Sequence, residues 1–416
     1  MSLLEERYLS NIISKMAFGF GKMAFVAGPR QVGKTTLAKD LLAKRGAGKY
    51  GTWDDKDFRK LWHKGPASLR TFLQSNGGTT TKKPIAILDE IHKDRRWKGN
   101  LKGFYDLYGT SFDVIVTGSA RLNIYRRGGD SLLGRYFPFR LHPLSQAEIL
   151  GKRADEPTSF IESIMSPSPP ALQAGSVTKF ERLLKFGGFP DPYLNQNDQF
   201  SALWRSGRLE KIIHEDLRDL SRLPELSQVE ALALLMPDRI GSPLSVQSLR
   251  EELEVAYDTV KRWLNYLENL YFHFTIRPFT TRVARSLKKE PKIYLYDWSE
   301  VEDHGARFEN LVASHLLKAC DYWSDCGRGQ WDLRYLRDKD KFEVDFLLTN
   351  KNKPVVSFEC KYSDDRFDPS VLKFAGQIGI TNHIQIVAKP GIWQRREIDG
   401  LNILIASADA VLSLLV

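Results

Sequence analysis

Residues 28–35 decide the fold of the first part of the chain, and they read Gly28-Pro29-Arg30-Gln31-Val32-Gly33-Lys34-Thr35. The stretch follows an apolar segment, residues 22–27, and opens a helical segment, residues 35–44. Its glycines let successive backbone N–H groups face a phosphate, and the helix N-terminus adds its dipole. The pattern predicts a phosphate-binding loop, in which Lys34 reaches the β- and γ-phosphates and Thr35 holds Mg²⁺.

A pair of carboxylates follows the next apolar segment, where residues 85–90 read Ile-Ala-Ile-Leu-Asp-Glu. Open α/β sheets bind ligands at the carboxyl ends of their strands, so we expect Asp89 and Glu90 beside the loop. Asp89 is predicted to support Mg²⁺ through water, and Glu90 to orient and deprotonate the attacking water. A solvated turn is the alternative. The expected cofactors are ATP and Mg²⁺, and the expected ligands are Gly28, Pro29, Arg30, Gln31, Val32, Gly33, Lys34, Thr35, Thr36 and Asp89.

Two further groups after the third apolar segment, residues 112–116, suit phosphoryl transfer. A hydroxyl at its end can bond the γ-phosphate or the water; Ser119 is preferred to Thr117, and a helix N-cap is the alternative role. Charge that builds on the transferred group is stabilised by an arginine, for which we predict Arg135. A plain surface arginine is the alternative, and the other candidates that follow the segment are Arg121, Arg126 and Arg127.

Together these residues resemble the AAA-type branch of the P-loop ATPases. More closely, nearly the whole chain resembles a large family of bacterial and archaeal ATPases in which an AAA-like domain precedes a C-terminal domain of unknown function. The resemblance is carried by residues 28–35, Leu88-Asp-Glu-Ile-His92, Thr117-Gly-Ser-Ala-Arg121, Gly134-Arg135, Leu141-His-Pro-Leu-Ser145, Gly187-Gly-Phe-Pro190 and Pro291-Lys-Ile-Tyr-Leu-Tyr-Asp297. It implies an AAA-type parallel sheet with a helical lid, and a restriction-endonuclease-like fold at the C-terminal end. AAA-type sites often borrow an arginine from a neighbour, which makes a homo-oligomer an expected assembly.

The middle segment is predicted to form a winged helix-turn-helix. Helical stretches at 245–253 and 258–270 flank a short turn, and strands at 273–277 and 292–296 follow. The connection between the strands is rich in basic residues, which can neutralise phosphates: Arg277, Arg282, Arg285, Lys288, Lys289 and Lys292. Candidate groove contacts on the second helix are Lys261, Arg262 and Asn265. The alternative is a packing module, and Trp263 and Tyr266 on the same helix leave it open.

The last part of the chain carries the residue pattern of restriction-endonuclease-like nucleases. Alternate residues of a strand face one side, so Glu359 and Lys361 are expected to point together. Asp345 and Glu359 are predicted to share Mg²⁺, with Glu309 as a further metal ligand. Lys361 is predicted to position or deprotonate a water aimed at a phosphodiester, and Gln377 is a further candidate. The alternatives are solvated surface residues, or a binding module that keeps its acids without cleaving.

Composition limits the class of protein. The chain has 416 residues, of which 42% are hydrophobic and 27% charged, as in soluble globular proteins. A net charge of +10 favours a polyanionic partner such as nucleic acid, although many basic proteins are merely soluble. No segment approaches the roughly 18 uninterrupted apolar residues of a membrane span. Three cysteines suit a reducing, cytoplasmic setting.

These patterns predict an α/β protein of four parts. They are a P-loop ATPase core at 1–150, a proline-rich linker and helical lid at 151–224, the winged helix-turn-helix at 225–298 and the nuclease-like domain at 303–416. We expect a cytoplasmic ATPase whose nucleotide turnover moves the winged helix and the nuclease-like domain on DNA, with Mg²⁺-dependent cleavage as an added activity. The rivals are an ATP-gated switch that contacts protein partners and a regulator that uses the winged helix alone.

Overall fold

Two β-sheets organise the chain, one of five strands and one of eight. The computed structural model describes residues 6–74, 82–118, 132–152, 156–218, 224–280 and 290–416. Each sheet lies in its own unit, Glu5–His142 or Pro143–Val416. Within the described ranges no helix combines the length and the apolar character that a membrane crossing needs.

The first sheet is wholly parallel and has the strand order β2-β3-β4-β1-β5. Its strands are β1 (Met23–Ala27), β2 (Gly48–Thr52), β3 (Ile85–Asp89), β4 (Asp113–Gly118) and β5 (Tyr136–Arg140). The three central strands are buried along their whole length, as the apolar segments predicted. The expected parallel α/β sheet is therefore confirmed.

Helices connect these strands and cover the sheet. They are α1 (Leu9–Ile12), which continues as a π-helical turn over Ile13–Phe18, α2 (Lys34–Arg45), α3 (Lys56–His63), α4 (Pro66–Gln74) and α5 (Trp97–Tyr108). Helix α2 ends at Gly46, whose left-handed φ of 69° suits a glycine C-cap. Phe25, Leu88 and Val116 of the sheet share one apolar core with Trp97 and Phe104 of α5. The sheet and its helices thereby hold the carboxyl ends of β1, β3 and β4 at one edge.

The second sheet is mixed, with the strand order β12-β13-β11-β10-β9-β8-β6-β7. Its strands are β6 (His273–Pro278), β7 (Lys292–Leu295), β8 (Trp331–Arg337), β9 (Glu343–Asn350), β10 (Lys353–Lys361), β11 (Asn382–Val387), β12 (Trp393–Ile398) and β13 (Leu401–Ser407). Strand β6 pairs antiparallel with β7 and parallel with β8. The strand pair of the middle segment therefore continues the sheet of the C-terminal segment.

The helices of this unit are α6 (Gln146–Ile149), α7 (Pro157–Met165), α8 (Ser176–Phe186), α9 (Pro190–Asn195), α10 (Asp198–Lys211), α11 (Leu226–Leu235), α12 (Val246–Glu252), α13 (Tyr257–Asn269), α14 (His304–Asp325), α15 (Leu372–Ile378) and α16 (Ala408–Leu412). A π-helical turn over Ile212–Leu217 extends α10. Asp303 is the N-cap of helix α14, and its side chain accepts a hydrogen bond from Ala306 N at 2.8 Å.

Part of the segment that was predicted as a proline-rich linker is helical, which corrects that prediction. Pro157 occupies the first helical position of α7, where its missing N–H costs nothing. Phe160 of this helix packs against Trp323 of α14 at a ring-centroid distance of 6.0 Å. The remaining prolines, at 167, 169 and 170, lie in a stretch without regular structure.

Candidate nucleotide site and carboxylate cluster

The loop that the sequence predicts to bind phosphate joins β1 to α2, and two of its glycines leave little room for a side chain. A Cβ at Gly28 would lie 2.2 Å from the carbonyl oxygen of Leu141. Gly33 has a left-handed φ of 98°, which disfavours any side chain. The buried Lys34 donates hydrogen bonds to the carbonyl oxygens of Gly28 and Pro29, at 2.9 and 2.7 Å. An ammonium group is therefore fixed against the loop backbone, where the sequence predicted a phosphate contact.

Asp89 receives hydrogen bonds from three hydroxyl groups on three different elements. Thr35 of α2 and Tyr50 of β2 donate to Oδ2, at 2.9 and 2.7 Å, and Thr117 of β4 donates to Oδ1. Burial and the neighbouring Asp89 carboxylate raise the pKa of Tyr50, so Tyr50 remains a donor. Asp89 itself is almost fully buried. The carboxylate is thereby held beside the threonine hydroxyl of the loop.

Glu90 follows Asp89 in a left-handed conformation, with φ of 56°. This conformation costs a residue with a side chain about 1 kcal/mol. Its amide nitrogen donates to the carbonyl oxygen of Thr117 at 2.9 Å. Its carboxylate lies 3.4 Å from Nε2 of the buried His92. The turn therefore places the Glu90 carboxylate beside His92 at the carboxyl end of β3.

Arg7 holds the loop from the side of the N-terminal helix. Its guanidinium donates to the carbonyl oxygens of Val32 and His142, both at 2.6 Å. Tyr8 lies next to it and donates to the carbonyl oxygen of Arg140. A buried guanidinium thus joins the loop to the end of β5. No sequence motif marked this contact.

The structure does not bring Arg135 to the loop of its own chain. Arg135 precedes β5 and forms an ion pair with Asp106 at 2.7 Å. Met23, at the start of β1, pairs with Tyr136, whereas the loop follows the other end of β1. A strand of this length spans about 16 Å. Ser119 and the candidates Arg121, Arg126 and Arg127 lie outside the described residues, and the side chain of Thr36 is exposed on α2.

Two of the carboxylates predicted for the C-terminal site, Glu309 and Asp345, lie with Glu343 around the ammonium group of Lys292 on β7. Its Nζ lies 3.2 Å from Glu309 Oε1, 2.5 Å from Glu343 Oε1 and 3.6 Å from Asp345 Oδ1. Lys292 is 0% exposed. The sequence assigned it to a basic wing, and this assignment is wrong because the side chain points into the protein.

The remaining predicted residues complete this carboxylate cluster, which comprises Glu309, Glu343, Asp345 and Glu359. Asp345 Oδ2 accepts a hydrogen bond from Cys360 N at 2.9 Å. Lys361 bridges Glu359 and Asp368, with Nζ–O distances of 2.9 and 2.8 Å. Glu359 and Lys361 therefore point together, as the strand spacing predicted. Gln377 is exposed on α15.

Burial and mutual repulsion perturb the acids of the cluster. Burial, with the nearby Asp345 carboxylate, raises the pKa of Glu309 to about 7 and that of Glu359 to about 8. Burial also raises the pKa of Asp345. Burial alone would lower the pKa of Lys292, but its three carboxylate neighbours outweigh this effect and raise the pKa. Lys292 therefore stays charged.

The cluster does not fit the divalent metal site that was expected of Asp345, Glu359 and Glu309. Among the described residues no three His, Cys, Asp or Glu side chains are arranged to hold one metal ion. The physical reason is Lys292, whose charge lies between Glu309 and Asp345. By contrast, Thr35 and Asp89 bring two oxygen ligands together at the loop, which suits Mg²⁺.

Comparison with known proteins relates the first unit to a known family. Residues 21–150 match the family model described as AAA domain. This segment is similar to AAA-type P-loop domains. After the AAA domain, residues 177–300 and 304–394 match two models described as domains of unknown function, DUF8612 and DUF4143. The expected combination of an AAA domain with a C-terminal domain of unknown function is thereby confirmed.

The chain is similar to proteins of distant organisms over different lengths. An uncharacterized protein of Haemophilus influenzae is 21% identical over 421 residues, which cover 96% of both chains. An uncharacterized protein of Methanocaldococcus jannaschii is 24% identical over 265 residues, 58% of this chain and 54% of the relative. The first similarity therefore extends well beyond the AAA domain.

Solved structures show weaker likeness. The Aeropyrum pernix ORC1 protein in complex with DNA has 13% identity and a TM-score of 0.31, covering 73% of this chain and 90% of that one. The replication initiator DnaA bound to AMPPCP and single-stranded DNA has 15% identity and a TM-score of 0.31, covering 62% and 86%. Scores at this level support no inference about what this chain binds.

The AAA domain thus contains both predicted and unpredicted site residues. The loop, Asp89 and Glu90 were read from the sequence. Tyr50 and Thr117 reach Asp89 from neighbouring strands. Thr117 was the second choice for a hydroxyl at this site, whereas Tyr50 was not predicted, and the parallel pairing of β3 with β2 and β4 brings both to Asp89.

Proposed function

We propose that the AAA domain binds and hydrolyses ATP with Mg²⁺. The observation that carries this proposal is the 2.9 Å hydrogen bond from Thr35 Oγ1 to Asp89 Oδ2. It unites the hydroxyl and the carboxylate that would hold the metal ion beside the loop. When bound, Mg²⁺ would neutralise charge on the phosphates. The fixed ammonium group of Lys34 would add a second positive charge at the same place.

The protein groups divide the remaining work. The loop amides and the N-terminus of α2 would bind the triphosphate. Glu90 would orient the attacking water and accept its proton on the carboxylate. Thr117 and Tyr50 would keep Asp89 in place through their hydroxyl groups. Ser119 remains our proposal for a γ-phosphate contact.

Arg135 is proposed to act between subunits. Within its own chain it lies at the far end of β5 from the loop, paired with Asp106. An arginine in this position can stabilise the developing charge only on a nucleotide held by a neighbour. We therefore propose that the active form is a homo-oligomer.

An ATPase assay tests the first proposal. Lys34→Ala should abolish ATP binding or turnover, because the loop loses its ammonium group. Lys44→Ala is the matched control, since this lysine lies at the other end of α2 and is exposed. Equal ATP turnover by Lys34→Ala and the control would overturn the proposal.

We propose DNA as the partner of residues 143–416, with α12 and α13 as a helix-turn-helix and β6 and β7 as the wing strands. The support is the two-sided character of α13. Val260, Trp263 and Leu264 are buried in the unit, whereas Lys261, Arg262 and Asn265 are exposed. A basic polar face opposite an apolar face is the arrangement that a groove-binding helix needs.

Charge reversal tests DNA binding. ATP turnover and DNA affinity are measured with single-stranded and double-stranded DNA for the parent and for Lys261→Glu/Arg262→Glu. The double variant should bind DNA at least tenfold more weakly and show a shallower salt dependence. Lys211→Glu, an exposed lysine on α10, is the control. If the double variant binds DNA as tightly as the parent, DNA does not bind the exposed face of α13.

A second function is an ATP-gated interaction switch whose C-terminal domain binds without cleaving. The observation that favours it is the internal ion pair of Lys292 with the carboxylates that a nuclease would need. Its signature would be ATP turnover that DNA does not stimulate. The restriction-endonuclease-like fold is compatible with this function, because a fold can keep its acids as structural groups.

A further inference from the structure

The carboxylate cluster is engaged by groups of the chain itself. Glu309 Oε1 accepts a hydrogen bond from Tyr294 OH at 2.6 Å and also faces Lys292. The second oxygen of Glu343 pairs with Arg337 at 2.8 Å. Both oxygens of Asp345 have partners, Lys292 on one and the amide of Cys360 on the other. The oxygens that a metal ion would take therefore already face donors.

The position of Lys292 explains why a cation belongs in the cluster. Carboxylates that converge in a buried place repel one another unless a positive charge lies between them. An ammonium group satisfies this need with three N–H donors, and three carboxylates surround Lys292. A divalent ion in the same place would have to displace a side chain that is completely buried.

We propose that Lys292 occupies the place of the metal ion, so that the cluster is a metal-independent joint between β7 and the sheet of β8–β10. Glu309 comes from α14, Glu343 and Asp345 come from β9, and Lys292 comes from β7. The ion pairs therefore tie the strand that ends the basic connection to the C-terminal strands. They act together with the short pairing of β6 and β8, in which Arg277 lies opposite Arg334 and Pro278 opposite Tyr335.

This joint assigns a role to acids that would otherwise be read as catalytic. It fixes β7, one of the two strands that we proposed as the wing strands of the helix-turn-helix. It also predicts that the chain cleaves no DNA through Asp345 in the presence of Mg²⁺ or Mn²⁺.

Binding of Mn²⁺ to the full chain without nucleotide tests the proposal. Free Mn²⁺ is measured by electron paramagnetic resonance during titration of the parent and of Asp345→Asn. The two proteins should bind equal amounts, because no bound ion depends on Asp345. A Mn²⁺ ion that the parent binds and Asp345→Asn loses would overturn the proposal, as would Mn²⁺-dependent DNA cleavage that Asp345→Asn abolishes.

Removal of the lysine gives the positive test. Lys292→Met keeps the aliphatic stem and removes the charge, so the variant should gain a Mn²⁺ site and a Tm that rises with Mn²⁺. The double variant Lys292→Met/Asp345→Asn should lose both effects, and Lys353→Met, exposed at the start of β10, should behave like the parent. A folded Lys292→Met that gains no Mn²⁺ would contradict the proposal. If this variant does not fold, the comparison of the parent with Asp345→Asn still decides.

Discussion

Thr117 Oγ1 donates a hydrogen bond to Asp89 Oδ1 across the β3–β4 pairing, in which these two residues are direct partners. Thr117 is fully buried, and Asp89 is nearly so. A hydroxyl in such a place cannot exchange its partner for water. The orientation of the carboxylate at the end of β3 therefore depends on the residue opposite it on β4.

Replacement of this hydroxyl should reduce ATP turnover more than ATP binding. In Thr117→Val the side-chain shape is kept, and Asp89 loses one donor, which costs about 1–3 kcal/mol. We expect kcat to fall at least tenfold while the Kd for ATP changes little. Thr117→Ser keeps the hydroxyl and should retain most activity. Steady-state kinetics and calorimetry measure the two quantities, and equal kcat for Val and Ser variants would refute a positioning role.

Loss of Arg7 should weaken the loop itself. Arg7→Met leaves two buried carbonyl oxygens, of Val32 and His142, without their guanidinium donor, which should cost roughly 2–3 kcal/mol of unfolding free energy. We expect a lower Tm and a higher Kd for ATP. Arg95→Met replaces an exposed arginine of the same unit and serves as the control. A Tm and Kd matching those of this control would show that the guanidinium does not support the loop.

Substitution of the proposed base should separate binding from hydrolysis. Glu90→Gln keeps the size of the side chain and removes its capacity to accept a proton. We expect kcat to drop about 10²–10⁴-fold, the usual contribution of a general base, with ATP affinity retained. Asp54→Asn, at an exposed carboxylate of the same unit, should hydrolyse ATP like the parent. If Glu90→Gln hydrolyses ATP within a few fold of the parent rate, another group accepts the proton of the attacking water.

Acid should destabilise the second unit through His315. Gln146 N donates to His315 Nε2 at 3.0 Å, so this nitrogen must be an unprotonated acceptor, and Nδ1 faces the Leu311 carbonyl oxygen at 2.8 Å. Burial lowers the pKa of His315 to about 3. Between about pH 3 and 6.5 the folded state therefore binds fewer protons than the unfolded state. The stabilisation that neutral His315 contributes is complete above this window and is lost as the pH falls through it.

A variant checks this pH dependence. The unfolding free energy of the parent should fall between pH 7.5 and 5, measured by urea titration at each pH. His315→Gln offers a neutral side chain and should show a smaller fall over the same range, even if it is less stable at pH 7.5. Parallel pH profiles for the two proteins would exclude His315 as the source.

The sequence predicted the central strands of the first sheet because they are apolar throughout. The edge strands were missed for physical reasons. β2 contains Gly48 and Gly51, and β5 contains Pro138, residues that weaken a strand pattern and are tolerated at edges. β12 reads Trp-Gln-Arg-Arg-Glu-Ile and is likewise an edge strand with little burial. Burial on both faces, which shows in a sequence as a continuous apolar run, was absent in all three.

The sequence likewise predicted some residues of the candidate sites and missed others. The loop and the pair Asp89–Glu90 are local in sequence, so their spacing was sufficient. Arg7 contacts the loop across 25 positions, and no motif in the sequence links it to the loop. Lys292 looked like one of a run of basic residues, because charge alone does not show on which side of a strand a residue lies. In the structure Lys292 lies opposite Ile276 of β6 and faces the carboxylates.

The eight-stranded sheet has a practical consequence for work with parts of this molecule. Cutting the chain between β7 and β8 would strip β6 of its parallel neighbour and leave unpaired N–H and C=O groups along β8. Exposed strand edges of this kind pair with strands of other molecules, and the protein aggregates. The two segments that match separate family models, residues 177–300 and 304–394, should therefore be expressed together. If either segment is insoluble when expressed alone, the cause would be the interrupted sheet rather than a missing partner.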